Sequence, residues 1–204
     1  MNIQTESGTK AKGTHILELC KCETAEAFGL QELLEGVRMK REAAIKAGVA
    51  TRELLKNLYD EYKFYLAMLH KKYKTQELII ENVTTTVGRA VLAQRLGGDT
   101  TYTGTVNYTA LGDDNTAAAV GDATLGNETY RKAISSGTDS NNIAYLETFF
   151  TASEVTGTFE EYGMFIDGTG TADTGQLFNR FTSSITKSGT ETLNVQSIIT
   201  FNDA

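Results

Sequence analysis

Proline is absent from this sequence, and histidine and cysteine occur only twice each. Without proline, the turns must be made by Asp, Asn, Gly and Ser, which accept local hydrogen bonds or tolerate a left-handed backbone. Cys20 and Cys22 are too close in sequence to bridge each other readily, and no second pair completes a zinc site. They read as reduced, structural thiols, with a disulfide between subunits as the alternative. His15 and His70 have no triad or metal partner readable from spacing, and both read as solvated. There is no HExxH, Walker loop, GxSxG, or GxGxxG after a strand. No catalytic residue, metal ligand or cofactor is therefore expected. A membrane span needs about 18 consecutive apolar residues, and no such run exists. The opening MNIQTESGTKAKG lacks the apolar core of a secretory signal, so synthesis in the cytosol is expected. A net charge of −7 disfavours nucleic acid, whose phosphates require concentrated Lys and Arg.

What is present falls into two halves. Residues 1–75 hold 13 Lys/Arg against 10 Asp/Glu, whereas residues 76–204 hold 6 against 16. Residues 1–23 lack periodicity and read as a docking arm. Residues 24–75 read as a helical hairpin. Leu30, Leu34 and Val37 recur at helical spacing in its first helix, over 24–47, with Thr24 as cap and Gly48 at the stop. The second helix, over 51–74, is capped by Thr51. Leu55, Leu58, Tyr62, Tyr65 and Leu69 step by three and four along it, the spacing of a coiled-coil seam. Either the β half covers this wide stripe or sister copies pack on it. The second option makes these eight residues an oligomerisation and docking surface, and the protein a homo-oligomer.

Residues 76–98 read as a connector, a short extended run followed by a helix with Thr86 as cap and Gly97-Gly98 as stop. Residues 99–204 read as an antiparallel β-sandwich, giving an α+β fold overall. Strands are expected over 103–111, 129–135, 143–151, 159–166, 176–186 and 191–201, between loops rich in Asp, Asn, Gly and Ser. In the last of them Leu193, Val195, Ile199 and Phe201 share one parity; Thr192, Asn194, Gln196 and Thr200 share the other. Ser188-Gly189 reads as the turn of a hairpin joining it to the strand before.

Two acidic pairs, Asp113-Asp114 and Glu160-Glu161, invite comparison with glycosidases. Sequence neighbours on a strand point to opposite faces, however, and catalytic carboxylates must flank one cleft. Asp167 and Asp173 could hold a weak Ca²⁺, but their spacing is not that of an EF-hand, and a polar loop accounts for them equally well.

From residue 83 onward the chain resembles a domain of tailed-bacteriophage structural proteins of the tail-fibre or fibre-attachment type. The pieces that carry this are TTTVGRAVLAQRLGG, YTALGDDNTAAAVGDATLGNETYRKAI, IAYLETFFTASEVTGTFEEYGMFIDG and GQLFNRFTSSITKSGTETLNVQSIITF. Within them, Asp122, Leu125, Glu128 and Arg131 fill a recurring run. Leu177-Phe178-Asn179-Arg180 and Ile185-Thr186-Lys187 fill two more. Gly112-Asp113-Asp114 departs from the usual Gly-Thr-Gly, and Ala117-Ala118-Ala119 lacks a nearby proline. The helical hairpin is outside the resemblance. It implies a non-enzymatic virion protein, made in the host cytoplasm, whose partners are itself and other virion proteins. Because the chain stops after its last strand, an adaptor or fibre-base role is expected at the tail, neck or baseplate. The alternative is a module that recognises a bacterial surface glycan.

Overall fold

The computed structural model describes residues 10–202. Strand β1 (Lys10–Lys21) comes first, then helices α1 (Ala25–Lys46) and α2 (Arg52–Tyr73). Strands β2 (Lys74–Glu81) and β3 (Val83–Thr84) lead into α3 (Thr86–Leu96). The remaining strands are β4 (Val106–Gly112), β5 (Glu128–Ala133), β6 (Ser136–Ser140), β7 (Ile143–Phe150), β8 (Gly157–Ile166), β9 (Gln176–Lys187) and β10 (Glu191–Asn202). They form two five-stranded sheets, ordered β2-β1-β10-β7-β6 and β3-β9-β8-β4-β5. All strand pairs are antiparallel. The fold is α+β, a helical hairpin lying on one sheet of a sandwich. No helix among the described residues is long and apolar enough to cross a membrane.

The helices start where their hydroxyl caps say they should. Thr24 accepts the Ala27 N–H at 3.2 Å, and Thr51 accepts that of Leu54 at 3.2 Å, each satisfying a donor the helix leaves unpaired. Gly48, at φ +70°, makes the reversal between them. For α3 the expected cap is off by one residue. Thr85 accepts the Gly88 N–H at 3.0 Å and donates its own hydroxyl to the Leu177 carbonyl of β9 at 2.5 Å. A Cβ on Gly88 would stand 2.6 Å from Phe178 Cα, so only glycine lets α3 approach β9 this closely.

Four expectations need correction. Residues 10–21 are not an arm but a strand between β2 and β10, paired in register from Lys10↔Asn202 to Lys21↔Glu191. Residues 1–9 of the expected arm lie outside the described residues. Leu17 and Leu19 on β1 enter the sandwich core while Cys20 and Cys22 face the helices, an alternation cut too short by flanking polar residues to be legible. The sandwich therefore recruits β1, β2 and β3 from outside the expected 99–204 unit. Second, β9 and β10 are not a hairpin: they belong to different sheets, so the turn after Lys187 arches between layers. Their apolar faces meet across the core, where Phe181 and Ile185 pack with Leu193 and Val195. Third, Ser136–Ser140, read as loop, is the edge strand β6, held by backbone pairing with β7 that demands no apolar side chain. Fourth, neither histidine is solvated: His70 is largely buried, its Nδ1 3.1 Å from Glu18, and His15 is more so. His15 is wholly buried, stacked on Phe181 at 4.1 Å and 2.5 Å from Ser197 Oγ, and burial pulls its pKa down to about 3.

Candidate interaction surfaces

The residues expected to dock copies are used inside the protomer. Leu30, Leu34 and Val37 of α1 and Leu58, Tyr62, Leu66 and Leu69 of α2 are buried in one cluster with Phe149, Ala152, Cys20 and Cys22. Leu55 and Tyr65, at the margin of the stripe, are half-buried. This corrects the oligomerisation surface read from Leu30, Leu34, Val37, Leu55, Leu58, Tyr62, Tyr65 and Leu69. Periodicity identifies the buried stripe of a helix but is silent on whether its cover is the same chain or another. Cys20 and Cys22 are free; burial pushes the Cys20 thiol up to about 12 and raises that of Cys22.

Beneath the hairpin lies a buried polar layer built on the hydroxyl/amide face of β10. Tyr62 donates its hydroxyl to Asn194 Oδ1 at 2.7 Å. Glu147 receives Lys63 Nζ at 2.8 Å, Asn194 Nδ2 at 2.8 Å and Gln196 Nε2 at 2.6 Å. Burial raises the Glu147 carboxyl pKa, against the pull of Lys63. Burial also acts upward on Glu18, but there the hydrogen bond and charge of His70, 3.1 Å away, prevail and hold it below the ordinary range. Both carboxylate oxygens of Glu147 are engaged, and the layer ties the helices to the sheet.

The runs around Asp122–Arg131, Leu177–Arg180 and Ile185–Lys187 supply cross-links. Arg180 of β9 reaches Glu161 at 2.8 Å and Asp122 at 2.9 Å, both by ion pairing, and the Thr116 carbonyl at 2.9 Å. Glu161 in turn accepts the Gly126 and Asn127 N–H groups at 2.8 and 2.7 Å, pinning the long β4–β5 connection. Arg131 pairs with Glu128 at 2.5 Å, lies 4.6 Å over the Phe165 ring, and donates to the Thr169 and Thr174 carbonyls. Leu125 packs with Ala110, Phe165 and Leu177. Lys187 donates to the Glu154 and Val155 carbonyls at 2.8 and 2.9 Å, and burial lowers its ammonium pKa to about 8.

The acidic candidates are similarly occupied. Asp113 accepts from Asn127 Nδ2 at 2.6 Å, Asp114 from the Thr116 N–H at 2.7 Å, and Glu160 from Ser184 at 2.8 Å. Asp167 accepts the Thr103 N–H at 2.6 Å, and Asp173, at φ +57°, turns the same loop. No group of three or more His, Cys, Asp or Glu suited to a metal occurs among the described residues.

Two surface features remain, and sequence periodicity missed both. The first is the outer face of the hairpin. Leu33, Phe64 and Met68 are 46%, 62% and 44% exposed. The pairs Lys40–Glu61, at 2.8 Å, and Lys72–Glu26 set the antiparallel register of the helices. Leu33 lies two turns from Lys40 and Met68 two turns from Glu61, so all three apolar residues fall on the outer side between those ion pairs. Phe64 and Met68, four apart and off the buried stripe, were the available sequence signal.

The second is a groove of about 560 Å³ between the start of α2 and the β6–β7 hairpin. Tyr59 and Tyr145 form one wall, 6.2 Å apart and tilted by 47°, and Arg52 pairs with Asp139 at 2.6 Å across it. Lys56 and Asp60 complete its polar rim. Tyr145 and Asp139 lie some eighty residues from α2 along the chain, a pairing no local pattern announces. No family model, no curated protein and no solved structure matches this chain.

Proposed function

We propose that the protein is a structural component of a tailed-phage particle, an adaptor or fibre-base protein that self-assembles and docks through its helical hairpin and presents its β-sandwich. The resemblance of residues 83–204 supports the virion setting. The observation that carries the docking role is the outward apolar set Leu33, Phe64 and Met68, bounded by Lys40–Glu61 and Glu26–Lys72. Apolar centres with polar rims favour association, because the centre gains from leaving water while the rim stays solvated. This reading moves the self-association surface from the inward stripe to the outer face of the same helices. It assigns no catalysis and no cofactor. Symmetric repetition then lets weak contacts add.

Light scattering on the full chain should show a mass that rises to a closed oligomer with concentration. The double variant Phe64→Glu/Met68→Glu should stay monomeric with an unchanged melting temperature. Mass spectrometry of purified phage particles should detect the chain's peptides. A monomer at all concentrations would remove the self-assembly claim, and absence from particles would remove the virion claim.

The second reading is glycan recognition, favoured by the Tyr59–Tyr145 groove, since aromatic faces with neighbouring charged and hydroxyl groups suit sugar rings. Binding to a bacterial polysaccharide that Tyr145→Ala abolishes would favour it over the adaptor role.

A further inference from the structure

Arg41 is a buried cation with no anionic partner among the described residues. It is only 8% exposed, and among the described residues no carboxylate lies within ion-pair distance of it. The other buried cations differ. Arg131, Arg180 and Lys132 each reach a carboxylate, and Lys187 is surrounded by carbonyls. The nearest acids are already engaged, Glu42 with Arg38 at 2.8 Å and Asp139 with Arg52 at 2.6 Å. Burial lowers the pKa of the Arg41 guanidinium, a sign that its charge is poorly solvated.

The guanidinium is used on one side only. Nη1 donates to the Ile134 carbonyl at 3.1 Å, whereas Nε is buried without a partner. Nη2 lies 3.8 Å from where a Cβ on Gly137 would stand, on the side of a recess that Arg41 and Gly137 both line. Nη2 is the unpartnered nitrogen that remains accessible beside the recess, and a guanidinium N–H there can donate a charge-assisted hydrogen bond to a carboxylate. The recess has a volume of about 320 Å³. Leu55, Leu92, Val106, Leu146, Phe178 and Ile199 line it, each from a different helix or strand. At about 30 Å³ per water-sized group, such a space holds a chain of roughly ten methylenes.

We propose that this recess binds a small-molecule alkyl carboxylate of medium chain length, its chain among these apolar residues and its carboxylate on Nη2 of Arg41. Thr105, Thr138 and Asp139, the last paired with Arg52, also line the recess; with the Asp139 charge met by Arg52, the mainly apolar wall and the Arg41 cation select a ligand with an apolar body and one anionic end. A carboxylate there supplies the counter-charge that the fold leaves out, and an uncharged alcohol of the same length does not.

The test is calorimetric titration of the full chain with decanoate and with 1-decanol. Saturable one-to-one binding of decanoate is expected, at least about tenfold tighter than 1-decanol, the value of one charge-assisted contact. Arg41→Met should weaken decanoate by about tenfold to hundredfold and leave 1-decanol unchanged. Ala144→Phe, which fills the recess without touching the charge, should abolish both. Absence of saturable decanoate binding to the wild type would overturn the proposal, as would equal affinity for the two ligands. Unchanged decanoate affinity in Arg41→Met would do so too. Should Arg41→Met fail to fold, the preference of the wild type and the response of Ala144→Phe decide the matter.

Discussion

The Tyr62 hydroxyl of α2 donates to Asn194 Oδ1 of β10 across 2.7 Å, with both residues out of water. This bond joins the helical hairpin to the middle of a sheet. It also explains why a face made of threonine and amides is buried: the helices bring the partners that its polar atoms need.

Removing that hydroxyl should be costly out of proportion to its size. Tyr62→Phe keeps the ring in its cluster but leaves Asn194 Oδ1 without its donor, a loss of about 1–3 kcal/mol. Urea unfolding should show the midpoint falling at constant slope. An unchanged midpoint would mean that the hairpin is held by apolar contact alone.

Acid should weaken the fold first through His15. Its imidazole is held at about 3 in the folded chain, against 6.5 when exposed. As pH falls the unfolded chain therefore takes up the proton before the folded one. The stability due to neutral His15 is complete above about pH 6.5 and is lost progressively towards about 3, at up to ~1.4 kcal/mol per pH unit. Glu18, held below the ordinary carboxylate range, adds its own loss at lower pH, while Glu147, whose carboxyl burial raises, contributes with the opposite sign as pH falls, so the histidine's share is read between about pH 6.5 and 5 as the difference between wild type and His15→Gln. Urea midpoints across that interval should decline in the wild type and stay flatter in His15→Gln. Equal slopes would assign the decline to another group.

Arg180 should be the most sensitive of the cross-links. Arg180→Met leaves Glu161 buried without its cation and frees Asp122 and the Thr116 carbonyl, for a loss of about 3–5 kcal/mol. Limited proteolysis should then cut first within residues 113–127, the connection that Glu161 and Arg180 pin. The double variant Arg180→Met/Glu161→Gln should recover part of the loss, because the orphaned charge is gone. No recovery would show that geometry rather than charge dominates at this junction.

Much of the fold is local and was legible. The three helices follow from periodicity and hydroxyl caps, with only the α3 cap displaced, from Thr86 to Thr85. Six of the later strands follow from alternation between polar loops. Long-range pairing was not legible, because hydrogen bonding in a sheet is between backbones and carries no signature of the partner. For that reason β1 passed as an arm, β6 as a loop, and β9 with β10 as a hairpin. The candidate surfaces show the same division. Leu58 and Tyr62 announced a stripe but not its cover, while Phe64 and Met68, outside that stripe, are among the apolar residues left in water.

The order of residues by itself determined where helices begin and end, which faces are apolar, and that no familiar catalytic signature is present. Those properties depend on neighbours within a turn or two of the chain. Tertiary structure alone decided that the hairpin buries its stripe on its own sheet, that Arg180 joins Asp122 to Glu161, and that Arg41 lies buried with no counter-charge among the described residues. Burial and pairing are set by what the folded chain brings alongside a residue, and the chain brings those groups from far away.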